Sequence, residues 1–256
     1  MNETLKRAIF GALYVSLIII ALCIPIAFKI VFSVLSIVSV YEFCKLTNIS
    51  KYIGLINLLL ISGLFYFIQN EIVLLSFTFF TVIINTLLFI SLKKELKIDK
   101  LNILFLMFYI SFPFVLLFHF DNNNLVLSMF LIIWGNDTFA YLIGKSIGKR
   151  KLFQKISPKK TIEGFVGGLV ASIIIAIMLS LFLEEQNVYF WIIFALVNSI
   201  FGTIGDLVES MFKRKAGVKD SGKIIPGHGG VLDRLDSIIF VIPFIFIYIK
   251  FFNYVS

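Results

Sequence analysis

Long apolar runs separated by short polar clusters dominate the chain. Nine runs stand out, at roughly 8–23, 27–44, 53–69, 72–92, 103–120, 125–144, 164–183, 188–212 and 235–253. A helix needs about 20 apolar residues to cross a bilayer. The runs are continuous rather than alternating, which argues against strands, and a helix satisfies its own backbone in hydrocarbon. The pattern predicts an all-α, polytopic integral membrane protein with about nine transmembrane helices.

The polar clusters alternate in sign along the chain. Lys6 and Arg7, Lys45 and Lys51, the stretch Lys93–Lys100, the stretch Lys145–Lys160 and the stretch Lys213–Arg234 fall in alternate connections. The intervening ones carry Glu71, Asp121 with Asn122–Asn124, and Glu184–Glu185, without Lys or Arg. Of 23 basic residues only Lys29 and Lys250 break the rule. Both lie near helix ends, where long side chains snorkel. Lys and Arg collect on the cytoplasmic side, so the N-terminus is expected inside and the C-terminus outside. The protein is expected in the plasma (inner) membrane with its charged loops in the cytoplasm.

Composition agrees with a membrane protein: 59% of the 256 residues are hydrophobic and 15% charged, against about 25% charged in soluble domains. The net charge of +8 then reads as a basic cytoplasmic rim facing anionic headgroups. It does not imply a nucleic-acid partner, because no soluble basic domain carries it. The first run leads through Pro25 into the second without a small-x-small site, unlike a cleaved signal peptide. Cys23 and Cys44 sit at run ends and read as packing residues. No internal repeat stands out. Residues 1–256 are expected to form one membrane domain, with 1–124 mainly scaffold and 125–256 supplying catalytic helices and cytoplasmic loops. In the first half, Glu42 reads as structural, paired with a neighbouring cation, and His119 as interfacial.

Three polar clusters in the second half are expected to converge at the inner side. The first is Asn136-Asp137-Thr138 with Tyr141. Asp137 lies about 18 Å along its helix from the outer end, and a carboxylate there needs a cationic, metal or hydrogen-bonding partner. The second is the loop ISPKKTIEGFVGG. Ser157-Pro158 can begin a helix, which would place Lys159 and Lys160 at an anion-favouring N-terminus. Gly164 and Gly168 also fit a small-xxx-small packing face. The third begins at Asp206, Glu209 and Ser210, one face of a helix end. It runs through Lys213, Arg214, Lys219, Asp220 and the turn Pro226-Gly227-His228-Gly229-Gly230 to Asp233, Arg234 and Asp236. Asp233 and Asp236 also fit a capping role at the start of the last helix. Two carboxylate-bearing helix ends make a site for a hard cation such as Mg²⁺, which completes its shell with water and substrate phosphates. Nearby Lys and Arg would neutralise further phosphate charge, so the cluster points to a polyphosphate substrate. Neither a Walker A loop nor a zinc-ligand spacing is present.

The run from Ser210 to Asp236, SMFKRKAGVKDSGKIIPGHGGVLDRLD, resembles the signature of the phosphatidate cytidylyltransferase (CDP-diacylglycerol synthase) family. GDLVES, ISPKKTIEGFVGG and NDTFAYLIGKSIGK resemble that family's other motifs. The resemblance implies transfer of CMP from CTP to phosphatidic acid, giving CDP-diacylglycerol and pyrophosphate for phospholipid biosynthesis. It implies a Mg²⁺ centre at Asp206 and Asp233 with Ser210 close by, K⁺ sharing that centre, and a homodimer of helical membrane subunits. In such a reaction Lys213, Lys219, Arg214 and Arg234 are candidates for the phosphates of either substrate. Lys159 and Lys160 are candidates for the CTP tail or pyrophosphate, Asp137 for substrate binding, and Asp220 for the catalytic set with Asp206, Asp233, Lys219, His228 and Arg234. His228 fits a binding or turn-organising role, or proton transfer. Two other readings are a polyprenol kinase or another lipid's cytidylyltransferase, and a transporter. A transporter would place its ionisable residues near the midplane, often with repeat symmetry.

Overall fold

The computed structural model describes residues 3–67, 70–94, 99–183 and 186–255. Glu184, Glu185 and Lys97, and the side chains of Lys6, Arg7, Lys93 and Lys94, on which part of the charge alternation rests, lie outside the described residues. The chain is almost entirely helical, as the apolar runs predict. Helices α1 (Glu3–Cys23), α2 (Pro25–Thr47), α3 (Lys51–Phe67) and α4 (Glu71–Lys94) are followed by α5 (Asn102–Phe105) and α6 (Phe112–Leu117). Then come α7 (Asn123–Ile147), α8 (Ile162–Phe182), α9 (Val188–Lys215) and α10 (Leu232–Val255). Among the described residues, α2, α4, α7, α8, α9 and α10 are long and apolar enough to cross a membrane. Over the described residues Ile9–Cys23, Lys51–Phe67 and Asn102–Leu117 are shorter apolar helices, although α1 as a whole runs 21 residues.

The fifth run has a specific interruption. Between α5 and α6, Leu106–Ser111 widens to a π-helix, and Phe112 N–H bonds the Met107 carbonyl. Pro113 follows at once. It has no N–H for the carbonyl one turn back, and its ring crowds that turn, so the ladder slips by one residue.

Large apolar side chains cover the outside of the bundle, including Phe67 at 82% and Phe182 at 79% exposure. Such surfaces suit lipid and would aggregate in water. Inside, small residues bring helices together. A Cβ at Gly168 would lie 2.7 Å from the Asn136 carbonyl of α7, and one at Gly164 would lie 2.6 Å from that of Ala140. The small-xxx-small face expected at these glycines is thus the α7–α8 seam. Gly168→Val should cost about 1–3 kcal/mol through overpacking. It should be read as a lower unfolding midpoint in detergent, and an unchanged midpoint would remove this account of the seam. Gly205 acts likewise between α9 and α10, where a Cβ would come 2.6 Å from that of Phe240 and 2.8 Å from the Asp236 carbonyl.

The loop between α7 and α8 departs from expectation. Ser157-Pro158 does not begin a helix. Residues Ser157–Thr161 form strand β2, antiparallel to β1 (Lys151–Phe153), with Lys151 opposite Thr161. The helix starts afterwards, at Ile162, where the Thr161 hydroxyl accepts the Gly164 N–H at 3.1 Å as an N-cap. Glu42 also differs from its reading. Only 1% exposed, it meets no cation among the described residues. Its carboxylate accepts hydrogen bonds from the Ser221 hydroxyl and from the Val231 and Leu232 N–H groups. Of the two cysteines, Cys44 is a buried packing residue, whereas Cys23 is exposed on the bundle surface.

Candidate active site

The C-terminal half of α9 and the first turn of α10 form two walls of a cavity of about 740 Å³; α7 and the β1–β2 hairpin form the others. Eleven of the twelve predicted site residues line it: Asp137, Lys159, Lys160, Asp206, Ser210, Lys213, Arg214, Lys219, Asp220, Asp233 and Arg234. His228 does not. It borders a 230 Å³ cavity against α1 and a 680 Å³ depression outside the Pro226–Gly230 turn.

Each wall has a local reason. The last turn of α9 carries Lys213, Arg214 and Lys215, cations favoured where helix carbonyls are unpaired. Arg214 bonds the Ile156 carbonyl at 3.4 Å and the Val218 carbonyl at 3.0 Å, tying the hairpin to the end of α9. The turn closes when Ile225 N–H donates to the Gly229 carbonyl and His228 N–H to that of Ile225. Gly229 has φ of +89°, and a Cβ there would meet the Asp233 carboxylate, so glycine is required by both conformation and space.

The charges are arranged as two linked pairs. Lys160 reaches from β2 to Asp206, Nζ to Oδ2 at 2.6 Å, while the Ser210 hydroxyl donates to Asp206 Oδ1 at 3.2 Å. Burial lowers the affinity of Lys160 for its proton, but Asp206 and Asp137 outweigh it, and the ammonium titrates above the usual lysine range. Lys213 bridges Glu209 and Asp233, lying 2.6 Å from Asp233 Oδ1. Asp233 Oδ2 accepts from Ser221 N–H at 2.9 Å and Gly230 N–H at 2.7 Å. This carboxylate therefore orders the loop preceding α10; it lies inside the helix that starts at Leu232 and accepts from the loop upstream rather than capping the helix's own N–H groups. Lys159 stays exposed at the rim, as do Lys219, Asp220 and Arg234.

Asp137 and Asp236 share the cavity with Asp206. Asn136 fixes the local geometry: its Oδ1 accepts the Ser199 hydroxyl of α9 at 2.7 Å, with the Ser172 hydroxyl of α8 3.5 Å away, and its Nδ2 donates to Asp137 at 3.3 Å. The three carboxylates Asp137, Asp206 and Asp236 against the Lys160 ammonium make a floor whose charge fits a hard cation. Among the described residues no three acidic, histidine or cysteine side chains converge closely enough to ligate one ion. Two carboxylates with water and substrate phosphates would suit Mg²⁺. Asp206, Asp233 and Asp236 all line the chamber, with the Lys160 ammonium on Asp206 Oδ2. Asp233 retains lone-pair capacity on Oδ1, where Lys213 already sits.

The 230 Å³ cavity adjoins the first through Asp137, Asp233, Arg234 and Asp236. Its other walls are largely apolar: Gly11, Tyr14, Val15, Ile133, Trp134, Ile225 and Ile238. The Tyr14 hydroxyl donates to the Arg234 carbonyl at 3.3 Å, which brings α1 to the site. Sequence reasoning missed Tyr14 and Ser221. Neither belongs to a charged pattern, and each takes its role from partners distant in the chain or folded back upon it.

Apolar outer walls around a charged chamber in a helical bundle are the build of a polytopic membrane protein. A family model described as the cytidylyltransferase family matches residues 5–252, and the chain belongs to that family. Curated relatives include the phosphatidate cytidylyltransferase of Staphylococcus haemolyticus (strain JCSC1435), 52% identical over 124 residues that cover 48% of each chain. Those of Staphylococcus saprophyticus (strain ATCC 15305) and Staphylococcus aureus (strain COL) are 48% and 50% identical over 139 and 138 residues, each covering 53% of both chains. The matched segment thus spans about half the length of these curated relatives.

Proposed function

We propose that the protein is a phosphatidate cytidylyltransferase. The observation that carries the reading is a chamber in which an acidic floor faces a rim of Lys and Arg. That combination suits a nucleoside triphosphate with a hard cation. The names of the relatives and the family membership support the same activity. The 740 Å³ chamber is of a size that takes a nucleotide, since ligand pockets run about 300–1,000 Å³. The adjoining cavity, with Arg234 on the side shared with the chamber and apolar side chains on the other, is the place for the lipid headgroup, with acyl chains left in the bilayer.

In the reaction a phosphate oxygen of phosphatidic acid attacks the α-phosphorus of CTP. A new P–O–P linkage forms, the α–β linkage breaks, and pyrophosphate leaves with the bonding electrons. Alignment and charge neutralisation are the main tasks. Lys159, Lys219 and Arg214 at the rim hold the departing phosphates, and Arg234, between the two cavities, orients the lipid phosphate. Lys160 keeps Asp206 in place and stays protonated, so it presents positive charge throughout. A divalent metal held by Asp206 with Asp236 or Asp233 would supply Lewis-acid stabilisation of the phosphates. We propose further that the chamber faces the cytoplasm of the plasma membrane, where the basic connections accumulate, that a monovalent cation such as K⁺ shares the metal centre, and that the protein works as a homodimer.

Purified protein given labelled CTP and a panel of lipid phosphates is expected to form a nucleotidyl lipid with phosphatidic acid. EDTA should abolish this activity and Mg²⁺ restore it. A phosphorylated lipid as the product would establish a kinase instead, and activity in EDTA would contradict the metal assignment.

A further inference from the structure

Glu42 lies on α2, in the half of the chain expected to be scaffold, yet its carboxylate is buried against the loop that carries the site. Its Oε2 accepts from the Ser221 hydroxyl and from Leu232 N–H, both at 2.8 Å, and its Oε1 accepts from Val231 N–H at 3.2 Å. Leu232 is the first residue of α10, so the charge also sits at the positive end of that helix. A Cβ at Gly222 or Gly230 would overlap this carboxylate, so the loop is glycine where it wraps around Glu42.

The same loop residues hold Asp233. Ser221 N–H and Gly230 N–H both donate to Asp233 Oδ2, and the Ser221 hydroxyl, 3.1 Å from that oxygen, lies between the two carboxylates. Asp233 in turn receives Lys213. We infer that Glu42 is a positioning residue for the active site: from the scaffold half it clamps both ends of the 221–232 loop and so fixes Asp233 and, through it, Lys213. Glu42 lines neither the chamber nor the cavity beside it, so it acts through these residues and not on substrate.

Glutamine at this position keeps the size but turns an NH₂ group toward N–H donors, so at least one bond is lost and a donor is left facing another. The inference rests on the proposed activity, and its test has an arm independent of it. Glu42→Gln is expected to lower kcat by about 100-fold, the scale of a 1 Å misplacement, with the KM for CTP within about threefold of the parent. Glu42→Asp should recover about tenfold of that loss, because it keeps the carboxylate. Hydrogen exchange of the 219–234 segment should be about tenfold faster in Glu42→Gln, with α7 and α8 unchanged, since the clamp protects that segment locally. Faster exchange with kcat within threefold of the parent would overturn the positioning role, as would lost activity accompanied by faster exchange throughout. If Glu42→Gln does not survive purification, Ser221→Ala reads the link between the carboxylates, and parental kcat and exchange there would overturn it. A parent protein that makes no nucleotidyl lipid would defeat the proposed function, while exchange would still report the clamp.

Discussion

Asp206→Asn is expected to lower nucleotidyl-lipid formation by about a thousandfold, the upper range for loss of one preorganised electrostatic group. The side chain keeps its volume and can still accept from Ser210. What disappears is the negative charge that holds Lys160 at 2.6 Å and sits on the chamber floor beside Asp137 and Asp236. Lys160 is then free to swing, and the divalent cation proposed for the chamber would lose a ligand. Both changes act at the reacting phosphates. The check is steady-state turnover of the purified variant against CTP at saturating lipid, with its helical content shown to be intact. Normal turnover by a folded variant would remove Asp206 from the reaction.

Lys213→Met is expected to have the largest effect on stability. The ammonium is buried between Glu209, 1% exposed, and Asp233. Removing it strands the Glu209 carboxylate in a low-dielectric interior and takes from Asp233 one partner beyond its Ser221 and Gly230 N–H bonds, which costs about 3–5 kcal/mol. Unfolding in detergent should show the loss directly. Adding Glu209→Gln should return part of it, because one stranded charge is removed with its partner. A double variant no more stable than Lys213→Met would mean that the bridge is not what holds this end of α9. Lys213→Arg should keep most of the stability and lose activity, since a planar fork cannot occupy the point between two carboxylates that the ammonium fills.

How much of this was readable beforehand depends on the range of each interaction. The apolar runs became helices because hydrocarbon leaves the backbone no other partner. Asp206, Lys213 and Asp233 met because α9 and α10 are joined by the loop that carries the motif. The hairpin at 151–161 was not legible, since a three-residue strand is too short for alternation to announce it and its pairing is visible only when folded. Glu42 drew attention as a charge near lipid, but its partner was misread. Its ligands are backbone N–H groups about 190 residues away, and these leave no trace in side-chain identity. Hydrophobicity marks where a helix is wanted more sharply than how regular it is: the fifth run is a helix broken by the π-turn at Leu106–Ser111.

The amide of Asn136 has a direction, and a hydroxyl on another helix imposes it. Ser199 offers its proton to the amide oxygen at 2.7 Å, while Ser172 gives its own to the Gly168 carbonyl at 3.0 Å, so the Asn136 nitrogen is turned toward Asp137. A methyl group in place of the Ser199 hydroxyl weakens that choice. A flipped amide would then present oxygen to carboxylate, two acceptors with no proton between them. Residues inside the helix bundle, touching no ligand, thereby set which way one hydrogen-bond chain runs, and with it whether the acidic floor is offered a donor or a repulsion.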